Sequence, residues 1–159
     1  MARWPNDVVT ARGKIAGILS SYLSASGGVI CGIGINANSD PGECEVEPDR
    51  PRTTVRAEIG CDVSREELFA KWLGAFEEMW PLAEPDRVND LRCAFDDVDF
   101  YRGRLVRVLI GAASNRGASG NCEQFDGIAS GLDHQGALLI VAPDRKPYQV
   151  GIEDVLILT

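Results

Sequence analysis

One helix is written into this sequence more firmly than any other element. Ser64-Arg65-Glu66-Glu67 has the S-x-x-E form of a capping box, in which a serine hydroxyl and a glutamate satisfy the orphan amides of a first helical turn. Leu68, Phe69, Trp72, Leu73, Phe76, Met79 and Trp80 then recur at helical spacing until Pro81 stops the run. A stripe of this kind is expected to pack against a sheet as core rather than to line a ligand pocket. Strand patterns lie further out on both sides of the helix.

Before the helix, Asp7–Thr10 leads through a turn at Ala11, Arg12 and Gly13 into Lys14–Ser20. Gly27-Gly28 then precedes the β-branched run Val29–Ile35, which predicts a hairpin. Ser39–Arg52 holds Pro41, Pro48 and Pro51 with five acidic residues, and is expected to be an exposed, mobile loop. After the helix comes a weaker helical stretch, Val88–Phe95, and then short strands at Leu105–Ile110, Cys122–Gly131, Ala137–Val141 and Gln149–Leu158. Turn residues separate them at Ser114–Gly120, Asp133–Gly136 and Pro143–Pro147, a pattern that predicts a small all-β barrel. The boundary between the two patterns falls near Arg102–Arg104.

Charge narrows the function classes. Sixteen Lys and Arg against 24 Asp and Glu leave a net charge of -8, so the basic footprint of a nucleic-acid binder is missing. The acidity lies before position 104, where 11 basic and 18 acidic residues give -7, against 5 and 6 after it. No apolar run approaches the roughly 20 residues that span a bilayer, and Met1–Asp7 carries no apolar signal segment, so a cytoplasmic protein is expected. Cys31, Cys44, Cys61, Cys93 and Cys122 show no C-x-x-C pair or metal-ligand spacing and read as reduced thiols, with no metal site. His134, the only histidine, sits at an expected hairpin tip, and without a G-x-S-x-G sequence no Ser-His hydrolase can be assembled. Walker A and G-x-G-x-x-G sequences are also lacking.

One constellation remains in the first 38 residues: Arg3-Trp4-Pro5-Asn6-Asp7, then Gly13-Lys14 opening a strand, then Gly32-Ile33-Gly34-Ile35-Asn36. A lysine among apolar neighbours neutralises a carboxylate or phosphate, and alternate glycines let a ligand lie against a strand backbone. That chemistry suits an anionic ligand. Taken singly, each signal has a structural reading as well: an exposed strand lysine, a common glycine pair, a turn at Trp4–Asp7.

Together and in this order, RWPND (Arg3–Asp7), GKIAGIL (Gly13–Leu19) and GIGIN (Gly32–Asn36) resemble the biotin protein ligases, also called biotin acetyl-CoA-carboxylase ligases. The resemblance continues through the helix from Ser64 and through Phe125–Val141, which looks like that family's small SH3-like C-terminal domain. It implies an α/β (α+β) fold: residues 1–103 as the C-terminal part of a catalytic domain with a mixed sheet and packed helices, and residues 104–159 as an SH3-like β-barrel. The implied activity is the use of ATP and Mg²⁺ to convert biotin into biotinyl-5'-AMP, followed by transfer to a lysine of a carboxylase's biotin carboxyl-carrier domain. By resemblance Lys14 is the cation on the biotin carboxylate and the phosphate. Gly17, Gly32 and Gly34 bring the backbone close to biotin, Asn6 and Asp7 face adenine and the reacting centre, and Asn36 faces the nucleotide phosphates.

The chain departs from the family at one point. A glycine- and arginine-rich GRGRxxR loop, which in relatives lies well before the WPND segment and closes over the adenylate, is not found here. The expectation is a partial catalytic domain whose sheet exposes an unpaired edge and an apolar face, with a separate chain as one possible source of the remainder. A lipoate-protein ligase and a non-catalytic module that holds biotin or the carrier are the alternatives. The sequence shows no DNA-binding helix-turn-helix.

Overall fold

The computed structural model describes residues 1–40, 51–110, 123–143, 147–151 and 155–158, and divides into two compact units, Met1–Pro81 and Leu82–Thr159. In the first unit β1 (Ala2–Arg3), β2 (Asp7–Val9), β3 (Lys14–Leu23) and β4 (Gly28–Ile35) form a sheet in that order. The expected hairpin is present, with β3 and β4 in register from Ala16 opposite Ile35 to Leu23 opposite Gly28. Among the described residues every strand pair of this sheet is antiparallel, where a mixed sheet was expected, and an isolated parallel bridge joins Lys14 to Arg52. Connection length explains the correction. Three or four residues link successive strands, whereas a parallel pair needs a crossover of a dozen or more.

Of the loop expected at Ser39–Arg52, residues 41–50 lie outside those described. Its end is fixed: Lys14 N–H donates to Pro51 O and Thr53 N–H donates to Lys14 O. Thr54 then caps the short helix α1 (Val55–Ile59), its hydroxyl accepting from Ala57 N–H at 3.1 Å. Trp4, Val9, Ala16, Thr53 and Thr54 are the buried residues around this junction. The Thr53 hydroxyl donates to Glu58 at 2.7 Å, and Thr10 donates to the same carboxylate oxygen at 3.1 Å.

Helix α2 (Arg65–Met79) starts where the capping box places it, with Ser64 Oγ accepting from Glu67 N–H at 3.1 Å, and passes at Trp80 into a 3₁₀ turn that contains Pro81. Its aromatic stripe is not core, contrary to the expectation from sequence. No residue of α2 is buried, and Phe69 and Trp80 are 59% and 60% exposed. The rings of Phe69, Trp72 and Phe76 stack in turn along the helix and Trp80 lies tilted against Phe76, with centroids 5.4–6.0 Å apart. Periodicity identifies an apolar face; whether anything covers it is decided elsewhere in the molecule.

In the second unit α3 (Val88–Asp96) precedes an antiparallel five-stranded sheet, order β8-β7-β6-β5-β9. Its strands are β5 (Leu105–Ile110), β6 (Glu123–Leu132), β7 (Leu138–Val141), β8 (Pro147–Val150) and β9 (Val155–Leu158). Val106, Val108, Ala129, Leu138 and Ile140 are fully buried in it. The single strand expected over Gln149–Leu158 is two, because Gly151, Glu153 and Asp154 interrupt the apolar run and the pieces pair at opposite edges, β8 with β7 and β9 with β5. Among the described residues these edges do not meet, so the sheet is open. His134 lies in the β6–β7 turn as expected; the expected turn at Ser114–Gly120, and residues 144–146 of that at Pro143–Pro147, lie outside the described residues. No helix among the described residues is long and apolar enough to cross a membrane.

Candidate functional site

An irregularity in the pairing of β3 with β2 brings three of the predicted site residues together. Asp7 stands opposite Gly17 and Val8 opposite Ala16, but Val9 stands opposite Lys14, which leaves Ile15 as an extra residue. Side chains alternate along a strand, so a regular β3 would put Lys14 on the face of Ala16 and away from Gly17. The bulge resets the alternation and puts Lys14 on the face of Asp7 and Gly17. There its ammonium forms an ion pair with Asp7 Oδ1.

Arg3 holds the other carboxylate oxygen. It is directly opposite Asp7 in the β1–β2 pairing, across a turn with a cis Trp4–Pro5 bond and a buried Trp4, and its Nη2 donates to Asp7 Oδ2 at 2.6 Å. Burial acts to raise the pKa of the Asp7 carboxyl, but the hydrogen bonds and charges of Arg3 and Lys14 outweigh it and hold the group below its ordinary value. The result is an ionised carboxylate between two cations.

Gly17 makes the lysine's position possible. A Cβ at Gly17 would lie 3.1 Å from Lys14 Nζ and 3.2 Å from Cε. Across the hairpin, Gly34 stands opposite Gly17 and Gly32 opposite Leu19. A Cβ at Gly34 would meet nothing within 4 Å, and one at Gly32 only Leu19 O at 3.8 Å. The face of β4 on this side is therefore mostly bare backbone, and a cavity of about 560 Å³ opens over it, lined by Asn6, Lys14, Gly17, Gly32, Gly34, Asn36 and Arg52 among others.

Six of the seven predicted residues thus line one cavity. Asp7 is the exception; its carboxylate meets Arg3 and Lys14 and does not line the cavity. The Asn36 amide donates to Lys14 O at 3.4 Å and Thr53 O at 3.1 Å, tying β4 to the strand that carries Lys14. Sequence reasoning left Arg3 without a role and missed Arg52. The motif contained Arg3, but nothing in the spacing pointed to Arg52, which reaches the cavity through its bridge to Lys14. Among the described residues no three His, Cys, Asp or Glu side chains are grouped to hold a metal ion.

No model of a known protein family matches the chain. In sequence it is similar to the biotin--[acetyl-CoA-carboxylase] ligase of Paracoccus denitrificans, 30% identical over 145 residues that make up 89% of this chain and 56% of that protein. The ligase of the same name from Mycobacterium tuberculosis is 30% identical over 142 residues, 87% of this chain and 46% of that one. In fold the chain is similar to the apo biotin protein ligase of Aquifex aeolicus, with a TM-score of 0.75 and 24% identity over 99% of this chain and 64% of the other. The same ligase in complex with biotin and ATP superposes with the same score. The chain spans about half the length of the curated relatives it matches, and corresponds to their C-terminal part.

Proposed function

We propose that this chain is the part of a biotin protein ligase that binds biotin and presents its carboxylate for adenylation, with Lys14 as the charged group at the reacting centre. The observation that carries the reading is the bulge-placed Lys14 beside a glycine-floored cavity, in a chain similar to biotin ligases over most of its length. A biotin carboxylate oxygen attacks the α-phosphorus of ATP, the bond to pyrophosphate breaks, and biotinyl-5'-AMP forms. The ε-amine of a carrier-domain lysine then attacks the acyl carbon, an amide forms and AMP leaves. Both steps concentrate negative charge, which a fixed ammonium in a partly dry site stabilises.

An ammonium has three hydrogens, so Lys14 keeps its bond to Asp7 while donating to the incoming carboxylate and phosphate. Asp7 acts through Lys14, and Arg3 keeps Asp7 ionised. Gly17, Gly32 and Gly34 admit biotin to the backbone, Asn6 faces adenine, and Asn36 and Arg52 border the nucleotide. The Asn36 amide already serves two carbonyls, so Arg52 is the stronger phosphate partner on that rim. The carboxylates of Asp7 and Glu58 are engaged by Arg3, Lys14, Thr10 and Thr53, and in this reading Mg²⁺ comes with the triphosphate as part of the substrate. The chain divides functionally into a catalytic part, 1–103, and an SH3-like part, 104–159. It acts in the cytoplasm on a biotin carboxyl-carrier domain.

Titration calorimetry with biotin, with lipoate and with biotinyl-5'-AMP tests the assignment. Biotin and its adenylate should bind the parent, and Gly34→Val, whose new side chain enters open space above the floor, should bind neither while unfolding at the same temperature. Lipoate binding in preference to biotin, or biotin binding indifferent to Gly34→Val, would remove the reading.

A further inference from the structure

On the side away from β2, the main chain of Lys14 is gripped by residues 51–53. Its N–H donates to Pro51 O and its C=O accepts from Thr53 N–H, and the bridge to Arg52 between them is isolated. Two backbone hydrogen bonds contribute modestly on their own, so the placement of this segment depends on further ties. Glu58, near the end of α1, supplies one. Its Oε1 accepts from the Thr53 hydroxyl at 2.7 Å and from the Thr10 hydroxyl, in the turn that leads into Lys14, at 3.1 Å; the other acceptor within reach of Thr10, Gly13 O, is farther at 3.4 Å. The Thr10 oxygen accepts in turn from Arg12 N–H at 3.1 Å, and the Arg12 guanidinium donates to Ala57 O on α1. One carboxylate oxygen, which has two lone pairs to offer, thus joins the chain that enters Lys14 to the chain that flanks it. The ion pairs among the described residues use other carboxylates, so Glu58 works as a hydrogen-bond acceptor and not as the partner of a cation.

We infer that Glu58 is a positioning residue for the ligand carboxylate: it does not line the cavity and acts by fixing Lys14 and Arg52 relative to each other. The inference rests on the ligase reading above, which puts a carboxylate at Lys14. Lys14 shares a face with Asp7 and Gly17 because of the bulge at Ile15, and that bulge directly follows the residue that 51–53 grips. A bulge interrupts its ladder, so its geometry is set by what holds the chain on either side. Removing the Glu58 oxygen releases the Thr10 end and the Thr53 end together, and the ammonium loses its aim. The glycine floor depends instead on the register of β3 with β4, which Glu58 does not touch. The acid end of a ligand should therefore feel the change and the rest of it should not.

Calorimetry with biotin and with biotinamide, in which a neutral carboxamide replaces the carboxylate, separates the two ends. The parent should bind biotin more tightly than biotinamide, by the contribution of Lys14. Glu58→Ala should shrink that affinity ratio roughly five- to tenfold, with biotinamide binding nearly unchanged. Glu58→Gln keeps an acceptor oxygen for both hydroxyls and should restore the ratio to within about twofold of the parent, the neutral acceptor being the weaker one. Thr10→Val removes one of the two ties at nearly constant shape and should give a smaller loss in the same direction, which carries the test if Glu58→Ala does not fold. An unchanged ratio in Glu58→Ala or in Thr10→Val, an equal loss for both ligands, or no rescue by Glu58→Gln would each overturn this inference alone. A parent that binds biotin no better than biotinamide would overturn the placing of Lys14 on the carboxylate and this inference with it, so the two failures are told apart.

Discussion

The site turns on one methyl group's worth of space at Gly17. Lys14 lies against that glycine to reach Asp7, so Gly17→Ala should weaken biotin binding by displacing the lysine. Its side chain is flexible, so the fold should survive with little change in melting temperature. Lys14→Ala should lower biotin affinity by about 1.5–3 kcal/mol, ten- to over a hundredfold, the value of a charge-assisted hydrogen bond. If the glycine acts through the lysine, the two losses are not additive: in a Lys14→Ala background, Gly17→Ala should cost almost nothing further. Additive losses in the calorimetric cycle would mean that Gly17 serves the ligand alone. Asp7 gives a second residue-scale prediction. Its folded pKa lies below the ordinary carboxylate value of about 3.9, so its contribution to stability is complete above that value and disappears as pH falls through the folded pKa. Denaturant curves of the parent and Asp7→Asn should therefore differ at neutral pH and converge in acid; a constant gap would contradict the ion-pair account. At this scale the motif located Lys14, Gly17, Gly32, Gly34, Asn6 and Asn36 around one cavity from sequence. That Asp7 faces two cations, and that Arg52 joins the rim, depend on register and on a bridge formed across a long loop, and neither leaves a mark in local spacing.

Elements with a local signature were readable, and those defined by pairing were not. The α2 cap, the stop at Pro81 and the hairpin at Gly27-Gly28 are set within a few residues of chain, and the structure has all three. The bulge at Ile15 and the assignment of β8 and β9 to opposite edges are decided by distant partners, so no run of residues announces them. Burial failed for the same reason: the spacing on α2 locates an apolar face without saying what lies against it. Gly13 offers a test of how the turn before β3 is built. Its φ of 145° disfavours any other residue, and a Cβ there would lie 2.3 Å from Pro51 O, the carbonyl that accepts from Lys14 N–H. Gly13→Ala should destabilise the first unit by more than about 1 kcal/mol and loosen Lys14 with it. Chemical denaturation and biotin titration of the same variant check both effects, and an unchanged midpoint would mean that the turn relaxes freely.

For the molecule as a whole, burial is divided unequally between the two units. In the second, Val106, Val108, Ala129, Leu138 and Ile140 have essentially no exposed surface, and Arg107 on β5 pairs with the opposing Asp126 of β6 through two hydrogen bonds of 2.7 and 2.8 Å. Among the described residues of the first unit the buried apolar side chains are Trp4, Val9 and Ala16, while Leu19, Val29, Ile30, Phe69 and Trp80 face solvent. Each kcal/mol of apolar stabilisation requires roughly 40 Å² removed from water at about 25 cal/mol per Å², so exposed side chains of this size leave the first unit with much less to offset its chain entropy. Local opening should follow that difference. Hydrogen exchange of the chain alone should find the slowest amides on β5, β6 and β7, with those of β3 and β4 faster by roughly tenfold or more, corresponding to about 1.4 kcal/mol or more in opening free energy. On heating, the second unit should retain its protection after the first has lost its own. Equal protection in the two sheets would show that the exposed face of the first unit costs it nothing, and that its stability has a source other than the burial described.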